Sequence, residues 1–173
     1  MISLSSHLKD IQAFIFDIDG VCSQTTLNLD QNGNVMRTVN IKDGYALHIA
    51  VKKGYYIAII SGGDSEATRK RYKKLGINDI YLTSAHKKID LQDFMDKHKL
   101  NSSQMLYMGD DIPDYEVMQM VGFPTCPADA APEIKAISQY ISDKEGGKGC
   151  VRDVIEKVLK IQNKWMDDEA FIW

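Results

Sequence analysis

Asp17 and Asp19 stand two residues apart in Ile15-Phe16-Asp17-Ile18-Asp19-Gly20, on chain that leaves an apolar run. A period of two puts both side chains on one side while the chain stays extended, and Gly20 then permits a sharp turn away. Two carboxylates this close repel unless a cation lies between them or one is protonated. A hard divalent cation suits such a pair, and Mg²⁺ prefers few protein oxygens completed by a substrate phosphate. Other reactive residues also close apolar runs. Ser61 follows Tyr55-Tyr56-Ile57-Ala58-Ile59-Ile60, and Lys87 or Lys88 follows Ile80-Tyr81-Leu82. Asp110 and Asp111 follow Met105-Leu106-Tyr107-Met108-Gly109. Acids, a hydroxyl and a cation at such points describe a site for an anionic substrate and a metal, with Asp110 supplying a further carboxylate.

These runs read as short buried strands, joined by a weaker one at 123–126 and another at 140–142. Helical patterns separate them, from Asp43 to a stop at Gly54, then 65–75, 87–98, 114–120 and 150–164. Leu27 to Val39 reads as a hairpin around Gln31-Asn32-Gly33-Asn34, because Asn-Gly between polar-apolar stretches favours the tight turn. Strands alternating with helices predict parallel crossovers. The expected fold is a doubly wound, Rossmann-like α/β domain over 1–164, with helices on both faces of one parallel sheet and a β-hairpin inserted after the first strand. No stretch is long enough for a cap domain. Residues 165–173 form a tail carrying both tryptophans. In open α/β sheets ligands bind outside the carboxyl ends of the strands, so the reactive residues are expected to meet at one edge.

Composition narrows the partners. The chain has 173 residues with 44% hydrophobic and 26% charged, enough for one core, and its 21 basic against 24 acidic residues leave a net charge of −3. That balance argues against nucleic acid. No apolar run approaches the ~20 residues of a membrane helix, and the first residues lack a secretory pattern. Cys22, Cys126 and Cys150 are widely separated and odd in number, which reads as reduced thiols of a cytoplasmic protein.

With these residues in place, the chain resembles the haloacid dehalogenase superfamily of phosphotransferases, through Asp17-Ile18-Asp19-Gly20, Ser61-Gly62, the lysine and Gly109-Asp110-Asp111-Ile112-Pro113-Asp114. It is most similar to the subfamily of 3-deoxy-D-manno-octulosonate 8-phosphate phosphatases, through Lys42-Asp43-Gly44-Tyr45, Leu75-Gly76-Ile77 and Gly146-Gly147-Lys148-Gly149-Cys150-Val151-Arg152. The resemblance implies Asp17 as nucleophile and Asp19 as acid and then base. It implies Ser61 and the lysine as phosphoryl-oxygen holders, and Mg²⁺ on Asp17, Asp110 and the Asp19 carbonyl. Spacing against that family places the lysine at Lys87, with Lys88 as the alternative. Asp111 and Asp114 are expected to support the metal or Lys87 from behind, Asp114 with a helix cap as its competing role.

Gly62, Lys42, Lys148 and Arg152 are candidates for binding the substrate. The glycine-rich segment before the last helix is a further anion-binding candidate through free amides. Gln24, Lys42 and Gly63 depart from the subfamily's frequent residues, Gly63 standing where some members carry an arginine. The implied activity is Mg²⁺-dependent hydrolysis of an eight-carbon sugar acid phosphate in lipopolysaccharide precursor synthesis. A nine-carbon analogue or a phospho-accepting regulatory domain are the other readings. The resemblance further implies a homotetramer with hairpin or tail contacts between subunits.

Overall fold

Apolar runs without alternation are what a parallel sheet buried on both faces requires. In the computed structural model, which describes residues 4–172, such runs form the central strands of one six-stranded parallel sheet. Its strands are β1 (Ala13–Phe16), β4 (Tyr56–Ile60), β5 (Asp79–Tyr81), β6 (Met105–Met108), β7 (Phe123–Cys126) and β8 (Tyr140–Ile141), in the order β5-β4-β1-β6-β7-β8. β2 (Asn28–Leu29) and β3 (Val35–Met36) make the separate antiparallel hairpin. Asp30 shapes its turn by accepting from the backbone of Asn32 and Asn34, with Gly33 at φ +79°.

Strand residues alternate between two cores. Phe14, Phe16, Ile57, Ile59, Leu106 and Met108 face one side; Ala13, Ile15, Ala58, Ile60, Met105 and Tyr107 face the other. The first side is covered by α1 (Leu4–Lys9), α2 (Ile41–Lys52), α3 (Glu66–Lys74) and α7 (Cys150–Ile161). The second is covered by α4 (Lys87–His98), α5 (Tyr115–Met118) and α6 (Pro132–Ile137). Each fully buried phenylalanine contributes roughly 1.5–3 kcal/mol. Between Gly20 and Ser61 the chain builds only the hairpin, α2 and β4, so there is no cap domain. No helix of the described residues is long and apolar enough to cross a membrane.

Several boundaries differ from the sequence reading. α2 starts at Ile41 because the Asn40 side chain caps it, accepting from the Lys42 and Asp43 amides. Asp43 therefore lies inside the first turn, and it caps α7 instead: its Oδ1 accepts from the Arg152 amide at 2.8 Å. The helix expected over 114–120 is a 3₁₀ turn, Ile112–Asp114, followed by the single turn of α5. α7 stops at Ile161 rather than 164. α1, α6 and a 3₁₀ turn at Asp168–Phe171 have too few periodic residues to be read from the sequence.

The tail folds back on its own α2. Tyr45 Oη donates to the Ala170 carbonyl, Lys52 to the Ile172 carbonyl at 2.8 Å, and Lys53 pairs with Asp167 and Glu169.

Candidate active site

The carboxyl ends of β1, β4, β5 and β6 open into a cleft of about 640 Å³. Asp17, Asp19, Ser61, Gly62, Lys87, Asp110, Asp111 and Asp114 all line it. Asp17 extends the β1 ladder by one residue, its amide donating to the Met108 carbonyl at 3.1 Å. The chain then turns at Gly20 (φ +89°), where a Cβ would lie 1.9 Å from Asp110 Oδ2. A side chain at Gly20 would thus push Asp110 away from Asp17, which gives the Asp-x-Asp-Gly spacing a steric reason. Ser61 is buried at the end of β4, its amide donating to the Tyr81 carbonyl at 2.9 Å and its carbonyl accepting from the Ser84 amide at 3.0 Å.

Of the two lysines, it is Lys87, the first residue of α4, that reaches into the cleft. Its Nζ lies 3.0 Å from Asp17 Oδ1 and 2.7 Å from Asp114 Oδ1, with the side chain only 8% exposed. Lys88 points outward and pairs with Glu116. Asp114 makes no helix cap. Its Oδ1 also accepts from Tyr107 Oη at 2.8 Å, and its Oδ2 accepts from the Asp110 amide at 3.2 Å. It therefore holds Lys87 and Asp110 from behind. Asp111 is at the exposed rim, accepting from the Ile112 amide.

Charge at this edge is under-compensated. Burial and the Asp114 charge hold the Asp17 carboxyl well above the usual carboxylate range, against the pull of Lys87. Burial and the Asp17 charge push Asp110 up to about 8. Burial works against the Lys87 charge, but Asp17 and Asp114 overcome it and raise its pKa. One carboxylate oxygen from each of Asp17, Asp110 and Asp114 falls within 4.8 Å of the others. An oxygen-only set of crowded acids with one lysine fits a hard divalent cation. Asp17 and Asp110 are the better placed to touch it, because both oxygens of Asp114 are already engaged.

Several candidates do not reach the cleft. Lys42 is exposed on α2, and Lys148 pairs with Glu145. Arg152 pairs with Glu156 and lays its guanidinium over the Tyr45 and Trp165 rings, 5.8 and 5.3 Å from their centroids. Two glycine amides of the glycine-rich segment are engaged within the chain. Gly147 donates to the Val21 carbonyl and Gly146 to Asp129, each at 2.8 Å, so the segment buttresses the loop after Asp19. Cys22 is buried, and burial pushes its thiol up, as for a packed residue. One residue escaped the sequence reading altogether. Arg37, at the base of the hairpin, forks onto Asp19. A lone arginine between Met36 and Thr38 carries no pattern that would single it out.

Residues 76–155 match the family of haloacid dehalogenase-like hydrolases. The 3-deoxy-D-manno-octulosonate 8-phosphate phosphatase of Escherichia coli K12 is 33% identical over 162 residues, covering 94% of this chain and 85% of that protein. The chain belongs to the haloacid dehalogenase-like hydrolases. Within that family it is a phosphoric monoester hydrolase without a cap. The Moraxella catarrhalis enzyme of the same name, solved with magnesium, phosphate and a KDO molecule, superposes with a TM-score of 0.89. It is 32% identical, with 93% of this chain and 92% of that chain covered. The cobalt-bound Haemophilus influenzae enzyme superposes with a TM-score of 0.90 at 28% identity, covering 96% and 99%. The haloacid dehalogenase-like architecture thus extends over nearly the whole of each chain.

Proposed function

We propose that the protein is a Mg²⁺-dependent phosphatase of 3-deoxy-D-manno-octulosonate 8-phosphate, acting in the cytoplasm in lipopolysaccharide precursor synthesis. The observation that carries the reading is the meeting of Asp17, Asp110 and Asp114 around Lys87 at one sheet edge, beside Ser61. The named relatives support the eight-carbon sugar acid as substrate.

Asp17, Asp110 and the Asp19 carbonyl would hold Mg²⁺, which when bound would neutralise the phosphoryl oxygens. Asp17 attacks phosphorus in line. The bond from phosphorus to the sugar oxygen breaks as the bond to the Asp17 carboxylate forms, and Asp19 gives the departing oxygen its proton. Water then attacks the phosphoryl group on Asp17, Asp19 takes the water's proton, and phosphate leaves with the Asp17 carboxylate restored. Lys87 and the Ser61 hydroxyl steady the phosphoryl oxygens throughout. A homotetramer joined through the hairpin belongs to the same reading, supported by the exposed Leu29, Met36, Val39 and Ile41.

Phosphate release from a panel of sugar phosphates, with Mg²⁺ or with chelator, tests the reading. Mg²⁺-dependent preference for the eight-carbon acid phosphate, lost in Asp17→Asn, is the expected result. Equal weak turnover across the panel would move the substrate elsewhere. A stable phosphorylated Asp17 without release would replace hydrolysis by phospho-acceptance.

A further inference from the structure

Asp19 is gripped by a residue from outside the strand-end set. Arg37 Nε donates to Asp19 Oδ1 at 2.7 Å and Arg37 Nη2 donates to Oδ2 at 2.8 Å. Among the described residues no other side chain bonds the Asp19 carboxylate. Two parallel bonds fix the plane of a carboxylate as well as its position, which a single bond does not. The hairpin around Arg37 is mostly exposed, yet the Arg37 side chain is only 11% exposed. The loop after β4 makes the space. A Cβ at Gly63 would lie 2.4 Å from Arg37 Nη2 and 3.5 Å from Asp19 Oδ2. The turn after β1, the base of the hairpin and the loop after β4 therefore converge on one ion pair.

We propose that Arg37 is a positioning residue for phosphoryl transfer: it aims the Asp19 carboxyl group at the leaving oxygen, and Gly63 is the seat that lets it do so. The proposal rests on the acid and base role assigned to Asp19 above. Proton transfer demands hydrogen-bond reach, and general acid catalysis contributes about 10²–10⁴-fold. The Asp19 side chain is one-third exposed, so without the fork it would sample rotamers that miss the leaving oxygen. A lysine at 37 would keep the charge but lose the planar fork.

The first chemical step separates this role from a merely structural one. The bond from phosphorus to the ester oxygen breaks, the bond to the Asp17 carboxylate forms, and the proton of Asp19 goes to the departing alkoxide. A sugar alkoxide needs that proton; a nitrophenolate leaves without it. The test measures kcat/KM with Mg²⁺ for the sugar acid phosphate and for p-nitrophenyl phosphate, in wild type, Arg37→Ala, Arg37→Lys, Gly63→Ala and Arg37→Ala/Gly63→Ala. Arg37→Ala should lower kcat/KM for the sugar ester about 30-fold and for the aryl ester less than about 3-fold. Arg37→Lys should recover only part of the loss. Gly63→Ala, which displaces the guanidinium without removing it, should show the same selectivity. The double variant should be no worse than Arg37→Ala, because both changes remove one interaction. Equal losses on the two esters, no loss, or additive losses would overturn the proposal while leaving the phosphatase reading intact. A wild type that releases phosphate from neither ester would overturn both.

Discussion

Two acid clusters of this fold are built in opposite ways. On α7, Asp153 Oδ2 accepts from Tyr140 Oη at 2.7 Å and Ser142 Oγ at 2.8 Å, while Oδ1 pairs with Lys157 at 3.0 Å. Burial raises its pKa, but these donors overcome it and hold the carboxyl below its ordinary value. At the sheet edge, Asp17, Asp110 and Asp114 share one lysine, and the Asp17 and Asp110 carboxyls are pushed up. The first cluster is complete within the chain, as structural acids are. The second is short of positive charge, which a cation would supply. Burial alone does not separate them; the ratio of donors to acids does.

Asp17→Asn should break the contrast most severely. Turnover should fall at least about 10⁴-fold, because no other carboxylate is placed to accept the phosphoryl group. With chelator present, the thermal midpoint of this variant should rise above wild type near neutral pH, because a raised-pKa acid has been removed. An unchanged midpoint together with full activity would show that the crowding at Asp17 is harmless and unused.

Removing the single shared cation comes next. Lys87→Met leaves Asp17 and Asp114 buried without a counter-charge and should cost about 3–5 kcal/mol in urea unfolding. Lys157→Met at the other cluster should cost at most about 1 kcal/mol, since its side chain is 40% exposed and Asp153 keeps two hydroxyl donors. Equal costs would abolish the distinction between the clusters.

The pH dependence sharpens it. Asp110 titrates near 8 in the folded chain against an ordinary 3.8. Between those values the folded state binds a proton that the unfolded state has released, so metal-free stability falls as pH rises through this window. Metal binding requires the carboxylates deprotonated. The rise in thermal midpoint on adding Mg²⁺ should therefore be larger at about pH 8.5 than at about pH 6. A Mg²⁺ shift independent of pH would count against Asp110 as a ligand.

The smallest effect belongs to Asp43. Burial pushes its carboxyl up to about 6, and its Oδ2 has no partner although Oδ1 caps α7. Its contribution to stability is lost as pH rises from about 4 to about 6. Asp43→Asn keeps an acceptor for the cap and should flatten that part of the stability profile without lowering turnover more than about 3-fold.

Much of this was legible because of local rules. Ala13 to Phe16 and Ile57 to Ile60 are apolar without a break, as a short strand buried on both faces is, and the placing of acids at the ends of such strands follows from topology. Lys87 was legible only as one of two neighbours, since helix phase rather than residue type turns one inward and the other out. The Asp114 role was masked because an acid at a helix start is ordinarily a cap. Arg37 had no signature, since it reaches Asp19 from 18 residues away through a hairpin whose placement no local pattern encodes.

The residues alone determined a parallel α/β sheet, an acid-rich edge and a glycine where the chain must turn, because strand period, burial and backbone freedom are properties of short segments. Tertiary structure decided which cation meets which acid. It turned Arg152 and Lys148 away from the cleft, engaged two glycine amides of the glycine-rich loop, gave Lys87 to Asp17 and Asp114, and set Arg37 on Asp19. Such pairings depend on distances between segments far apart in the chain, and packing, not sequence spacing, sets those distances.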